Sequence, residues 1–410
     1  MFVARVLTIG FHQTLYSTAP EVVVRSPGRA EIIGNHVDYC GGVVLAGAIA
    51  QATTVSVSLA DDSSPMLVWS EGYAEAPVQL DVAQLRSGER YPLPASASWT
   101  DYVGAVVSEL IRAEVQVPGF VMSVTSNVPS SGGVSSSASL ELGVAKALCE
   151  LAGHDMALEE LALLCQRAEH SVGSNCGLLD QYAVALGEAG SLLKLDFSDD
   201  SSEIVKGNLG DNSFVVVFDA GLKRTLGDTG YAVRRTATED GLAAINKLCD
   251  SAHESLRSVD LDWLVDNEDK VGGAIESTID PATVFIRLRH VVSEMARVDL
   301  AIEALRANNP VYFGELLTQS GHSALKDYEL DEGTPELTEI VESGVLLPGV
   351  LGIRNMGGGF SSVSLALVEN SQLEDFKRSL SASYSRKFGS ELTFLEFEPS
   401  SGVEVISNCG

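Results

Sequence analysis

A strand, a glycine- and serine-rich loop and a helix follow one another between Phe120 and Leu151, and this succession limits the possible folds more than any other stretch. Phe120 to Ser126 is strand-like, PSSGGVSSSAS runs from Pro129 to Ser139, and Ser139 to Leu151 has the apolar spacing of a helix. Glycines let such a loop turn tightly with several backbone N–H groups facing one point, and the following helix adds the positive end of its dipole. The segment therefore suits polyphosphate oxygens. A hydroxyl at the loop–helix junction also suits magnesium, which prefers hard oxygen ligands. Taken alone, a Gly/Ser stretch before a helix is more often a plain turn with an N-cap. The chain has no GxxxxGKS or GxxxxGKT run and neither the HRD nor the DFG elements of protein kinases, so the loop belongs to neither of those nucleotide sites.

The rest of the chain suggests two packed domains, the default for 410 residues, with 45% hydrophobic residues to fill two cores. Glu21 to Val24 and Val43 to Val57 read as strands that bracket the polar segment RSPGRAEIIGNHVDYCGG, expected to be a loop. Helical spacing recurs at Trp99 to Ala113, Leu158 to His170, Tyr231 to Ser255, Ala282 to Asn308 and Val311 to Leu325. Further strands are expected at Gly190 to Phe197, Phe214 to Asp219, 362–368 and 392–398, with a boundary in SDDSSEIVKGNLGDNS. The division is therefore 1–208 and 209–410.

Fifty-six acidic residues against 27 basic give a net charge of −29, which disfavours nucleic acid as a partner. The longest unbroken apolar run, Val43 to Ala50, is far below spanning length, so no membrane helix is expected. Arg5 interrupts the N-terminal apolar stretch, which reads as a structured lead-in and not a signal peptide; the expected location is the cytoplasm. Six scattered cysteines without a CxxC pair fit reduced thiols.

The residues of the glycine loop resemble PxxxGxSSSAS, the ATP loop of the GHMP kinases (galacto-, homoserine, mevalonate and phosphomevalonate kinases), with Val134 in place of the more usual leucine. PGRAEIIGNHVDYCGG, Pro27 to Gly42, resembles the galactokinase signature PGRxNxIGEHTDYxGG. CGLLDQ at 176–181 is similar to CGIMDQ, GYAVRR at 230–235 to SEYPVRR, GIRNMGGGFSSVSLALV from Gly352 to GxRMTGGGFGGxxxxL, and SWTDYVGAV at 98–106 to WANYVKGV. These resemblances occur in family order from about Val22 to about Leu367.

What the resemblance implies is an α+β fold of two-domain GHMP kinase architecture. An N-terminal α/β domain with a mixed sheet joins a C-terminal domain with an antiparallel sheet flanked by helices, and the site lies in the cleft between them. It implies a galactokinase-like phosphotransferase that uses ATP, with Mg2+, to phosphorylate the anomeric hydroxyl of galactose or a close relative, as a monomer. Asp180 would be the catalytic aspartate and Arg29 would stabilise charge during transfer. Asn35, His36, Asp38, Gly177 and Tyr231 would meet the sugar. Ser131, Gly132, Gly133, Val134, Ser135, Ser136 and Ser137 would hold the nucleotide, with Trp99 near the adenine, and Ser137 and Glu169 would ligate the metal. A carboxylate suits the catalytic task because a sugar hydroxyl is a poor nucleophile until its proton is shared.

Three further departures are visible. Asn35 stands where the family has a glutamate that meets the sugar's C6 hydroxyl, and Glu31 stands where it has asparagine. The exchange admits galacturonate, N-acetylgalactosamine or arabinose as alternative acceptors. Ser361 and Ser362 replace two glycines, and Glu169 and Asp180 lie one residue closer together than in the family. A sugar- and ATP-binding sensor without turnover is a further alternative, disfavoured by the intact Arg29, Ser137, Glu169 and Asp180.

Overall fold

The computed structural model describes residues 2–61, 65–130, 132–174, 176–222, 228–249, 252–358 and 362–408. Helix α1 (Phe2–Tyr16) leads into a long antiparallel pair, β1 (Val22–Ile33) and β2 (Val43–Leu59). After β3 (Leu67–Ser70), β4 (Val78–Gln79) and the short α2 (Val82–Leu85) come α3 (Trp99–Arg112), β5 (Phe120–Ser126), α4 (Ser136–Leu151), α5 (Leu158–Ser171) and α6 (Leu179–Leu186). The hairpin β6 (Leu192–Asp196) and β7 (Ser201–Val205) closes the first half.

The second half begins with β8 (Asn212–Phe218) and runs through α7 (Asp228–Leu248), α8 (Leu261–Asp266), α9 (Glu268–Ala274), α10 (Pro281–Arg306), α11 (Pro310–Lys326) and α12 (Pro335–Gly344). It ends with β9 (Val350–Asn355), β10 (Ser364–Glu369), α13 (Leu373–Phe388), β11 (Thr393–Phe397) and β12 (Glu404–Asn408). The strands form two sheets. One is mixed, in the order β12-β1-β2-β5-β3-β4 with β6 and β7 joined to β2; the other is antiparallel, in the order β11-β8-β10-β9. The expected α+β class is what the chain adopts.

Two local expectations are corrected. The segment from Arg25 to Ile33, read as loop, is strand. Pro27 and Gly28 look like turn residues, but β1 accommodates them with register shifts between Pro27 and Arg29 and between Glu31 and Ile33, so only the stretch after Ile33 leaves the sheet. Gly28 is needed there for another reason, because a Cβ would lie 2.6 Å from the Val134 carbonyl oxygen. The stretch 198–213 contains strand β7, which pairs with β6. β12 pairs antiparallel with β1, so a strand from the second half joins the first sheet.

α10 is the longest helix. Pro281 sits at its first turn, the Asp280 carboxylate caps the Thr283 N–H, and one side buries Val284, Leu288, Val291, Met295 and Val298. Fully burying each such side chain stabilises by about 1.5–3 kcal/mol. The helix thereby presses against β1 and β2 of the first half. No helix among the described residues is long and apolar enough to cross a membrane. The five described cysteines are unpaired.

Candidate active site

Arg29 leaves β1 buried, and its guanidinium makes three hydrogen bonds. Nε and Nη2 donate to Asp180 Oδ1 at 2.9 and 2.5 Å, and Nη1 donates to the Gly133 carbonyl at 2.6 Å. Asp180 stands in the first turn of α6, and its Oδ2 accepts from Ser135 Oγ at 2.5 Å. One arginine therefore ties the acidic side chain to the glycine loop, and the Arg29 N–H also bonds the Val134 carbonyl at 3.1 Å. Ser135 has φ 58°, ψ 53°, a left-handed conformation that costs a residue with a Cβ about 1–3 kcal/mol and persists where its surroundings impose it. Here the Asp180 bond does so, and Gly133 at φ 59° supplies the preceding left-handed turn.

Two residues beyond Ser135, in the first turn of α4, Ser137 Oγ donates to Glu169 Oε1 at 2.9 Å, so the shortened spacing between Glu169 and Asp180 leaves that pairing intact. Glu169 Oε2 accepts from Gln181 Nε2 at 2.6 Å and from Cys176 Sγ at 3.2 Å. Burial raises the Glu169 pKa above the usual carboxylate range, and the charge of Asp180 adds to this. Deeper still, burial followed by the charge of Glu169 raises Glu141 well above that range. In this corner Asp180 is hydrogen-bonded to Arg29, whereas Glu169 and Glu141 accept from the uncharged Ser137, Cys176 and Gln181. Ser137 and Glu169 offer the hard oxygens that a divalent ion requires. No cluster of three or more His, Cys, Asp or Glu side chains with metal-holding geometry occurs among the described residues.

The connection from β1 to β2 carries Asn35, His36 and Asp38. Asp38 opens a 3-10 turn (Asp38–Cys40) and is half-buried. Burial, then the charges of Glu31 and Asp180, push its pKa up to about 6. Gly177 is fixed by this neighbour, because a Cβ on it would lie 2.1 Å from Asp38 Oδ2. His36 is buried in a left-handed conformation, its ring over Tyr328 at 4.9 Å and its Nδ1 3.1 Å from the Tyr39 hydroxyl. Burial, together with Arg234, His290 and Arg354, lowers its pKa to about 3, so the ring is neutral at physiological pH.

Asn35, expected to meet a sugar hydroxyl, is 1% exposed and its amide is engaged by protein. Nδ2 donates to the Gly357 carbonyl at 2.6 Å and to Glu31 Oε1 at 3.2 Å, and Oδ1 accepts from Asn355 Nδ2 at 3.0 Å. Glu31 in turn pairs with the fully buried Arg354 at 2.9 Å. The exchanged residues of the signature thus pack side by side, and the carboxylate at position 31 is neutralised from the other half of the chain.

Of the remaining residues expected at the site, Gly132, Gly133, Val134, Ser135, Ser136 and Ser137 lie on the loop and the start of α4. Trp99 opens α3 and packs, partly buried, against the hydrophobic core. Ser131, the Tyr231 side chain and Ser361 lie outside the described residues. Ser362 takes φ 54°, a left-handed conformation that ordinarily favours glycine. Sequence reasoning noted Glu31 only as a departure from the signature, gave Arg354 and Gln181 no role although both stand inside recognised motifs, and did not single out Glu141 or Glu294. An open cleft of about 660 Å³ is lined by residues between Leu261 and Asp327 and another of about 850 Å³ by Tyr39–Gly41, Phe197 and Ser198 with residues between Thr238 and Ser258; neither is lined by Arg29 or Asp180, so the site is identified by its side-chain geometry.

A mixed sheet and an antiparallel sheet, with a glycine- and serine-rich loop facing an Arg–Asp pair, define a GHMP kinase. Residues 101–188 match the family description "GHMP kinases N terminal domain". The mevalonate kinase of Methanococcus jannaschii superposes with a TM-score of 0.60 at 15% identity, covering 94% of this chain and 99% of that one, and shares the fold. Residues 10–59 match the "Galactokinase galactose-binding signature". Bos taurus galactokinase is 35% identical over 358 residues, 87% of this chain and 86% of the relative; Homo sapiens galactokinase is 33% identical over 393 residues, 95% and 94%. The Lactococcus lactis galactokinase complexed with galactose superposes with a TM-score of 0.86 at 29% identity, covering 98% and 99% of the two chains. The chain belongs to the galactokinase family.

Proposed function

We propose that the protein transfers the γ-phosphoryl group of ATP to the anomeric hydroxyl of galactose, in the cleft between the 1–208 and 209–410 portions of the chain. The observation that carries this reading is the Arg29–Asp180–Ser135 arrangement against the glycine loop. Phosphoryl transfer asks little covalent chemistry of a protein and depends on positioning and charge stabilisation. The loop of residues 131–137 and the N-terminus of α4 supply backbone N–H groups for the polyphosphate. Ser137 and Glu169 would hold Mg2+, which when bound neutralises charge on the phosphates. Asp180, fixed through both oxygens, accepts a hydrogen bond from the acceptor hydroxyl and takes its proton as the new P–O bond forms. Arg29 lies where negative charge builds up on the transferring group.

Asp38 has the features of a sugar ligand: it is half-buried, its pKa is raised, and its carboxylate can accept from the acceptor hydroxyls. His36 and Asn35 wall the pocket, and Tyr231 and Trp99 remain assigned to the sugar and adenine by family resemblance. Action as a monomer in the cytoplasm is part of this reading, carried over from the sequence.

The test is a panel of sugars with magnesium-ATP. Galactose should be phosphorylated faster than galacturonate, N-acetylgalactosamine or arabinose. Asp180→Ala should lower kcat by roughly a thousandfold while ATP binding stays near wild type. Absence of turnover on every sugar would support a binding protein instead, and a better substrate than galactose in the panel would reassign the acceptor.

A further inference from the structure

Residues 34–38 hold an unusual path. Gly34 has φ +113° and His36 φ +60°, and a Cβ on Gly34 would lie 2.8 Å from Val44 Cα. Two left-handed residues within three point successive backbone N–H groups inward, the geometry of an anion-binding nest. The anion that fills it is a side chain from the other half of the chain. Glu294 Oε1, on α10, accepts the Gly34 N–H at 3.1 Å and the Asn35 N–H at 3.2 Å, together with Ser320 Oγ of α11 at 2.6 Å. Oε2 accepts from Arg297 Nε at 2.8 Å, and Arg354 Nη1 lies 4.0 Å from Oε1.

The Glu294 side chain has no solvent exposure. Burial alone would raise its pKa, yet the charges of Arg297, Arg354 and His290 and the Ser320 bond hold it well below the usual carboxylate range, so it stays ionised. A buried charge with this many donors is strongly localised. It lies far in sequence from the segment it holds, and Asp38 follows three residues after Asn35.

We infer that Glu294 is a positioning residue for acceptor binding, the built-in anion that holds the Gly34–Asn35 nest and thereby sets where Asp38 meets the sugar. The inference rests on the reading of residues 34–38 as the acceptor segment. A carboxylate held against two backbone N–H groups fixes a loop more tightly than a neutral acceptor does, because charge-assisted bonds are about twice as strong as neutral ones. Substitution by glutamine keeps size and shape but removes the charge and turns one oxygen into a donor, facing either the nest or Arg297. The nucleotide loop, held by Arg29 and Asp180, is not part of this contact.

The experiment is steady-state kinetics with galactose and ATP on Glu294→Gln, with Ser320→Ala as the control. Ser320→Ala removes a donor from the same oxygen without touching residues 34–38. Glu294→Gln should raise the galactose KM about tenfold or more, with the ATP KM within about twofold and kcat falling less than KM rises. Ser320→Ala should lower the Tm and leave the galactose KM within about twofold of wild type. If Glu294→Gln is too unstable to purify, Glu294→Asp, which keeps the charge but shortens the reach, should give the same one-sided rise at about threefold or more. An unchanged galactose KM in the folded variant, or equal rises for galactose and ATP, overturns the inference. Wild-type protein serves as the separate check on the underlying reading: if it turns over no sugar, that reading and this inference fall together, whereas wild-type turnover with an unmoved variant KM removes the inference alone.

Discussion

At Asp38 the protein keeps a carboxylate in a place that disfavours its charge. Its pKa stands at about 6 against an ordinary 3.8, because it is buried and faces Glu31 and Asp180. The folded state therefore binds the proton more tightly than the unfolded state. Stability falls as pH rises through the window from about 4 to about 6, and the cost is fully present above it. Asp38→Asn removes that cost. The variant should be more stable than wild type above about pH 6.5, by roughly 1–3 kcal/mol, and the gain should vanish near pH 4. The same change removes a charged acceptor for sugar hydroxyls, so the galactose KM should rise roughly ten- to a hundredfold. Thermal melts across pH together with kinetics check both halves. A lower Tm for the variant at neutral pH would mean that Asp38 has partners in the folded state that outweigh its burial. Stability given up at a binding residue is a common price of function.

Among the elements, α4 and α5 meet through Ser137 and Glu169, and this contact is where a divalent ion would be held. Glu169→Gln keeps an acceptor for Ser137 but removes the charge, so the magnesium concentration for half-maximal activity should rise about tenfold, while the galactose KM changes little. Titration of activity with magnesium at saturating sugar measures it, and an unchanged requirement would move the metal site elsewhere. These elements differ in how clearly the sequence announces them. The helix expected from Ser139 begins at Ser136, because serines look like loop until the N-terminal turn is known to bond Glu169 and Asp180. β1 was hidden by Pro27 and Gly28, whose turn-like chemistry is overridden by pairing with β2 along the whole segment. α13 was overlooked although Phe376, Leu380 and Tyr384, its buried residues, recur every fourth position; its remaining surface is charged, which diluted the signal. The motif residues Arg29, Asp180, Ser137 and Glu169 were legible because they sit in compact signatures. Glu294 and the pairing of Glu31 with Arg354 were not, since buried ion pairing between residues up to 323 positions apart leaves no local periodicity.

Across the whole molecule, a net charge of −29 opposes a site built to receive an anionic nucleotide. The local cation is Arg29, itself paired with Asp180, so the attraction ATP meets close in is short-ranged and comes mainly from backbone N–H groups and the helix terminus. Farther out the nucleotide meets the repulsive field of the surface acids. The Debye length falls from about 30 Å at 0.01 M salt to about 8 Å at 0.15 M, which screens that field more than the contacts inside the cleft. Association of magnesium-ATP should therefore speed up as salt is added, the reverse of an electrostatically steered enzyme. We expect kcat/KM for ATP to rise about two- to fivefold between about 0.01 M and about 0.15 M sodium chloride at fixed free magnesium. Galactose is uncharged, so its kcat/KM at saturating ATP should stay nearly constant over the same range and control for general effects of salt on the fold. A fall in the ATP value would mean that the cleft focuses positive potential well beyond Arg29, outweighing the acidic surface at a distance.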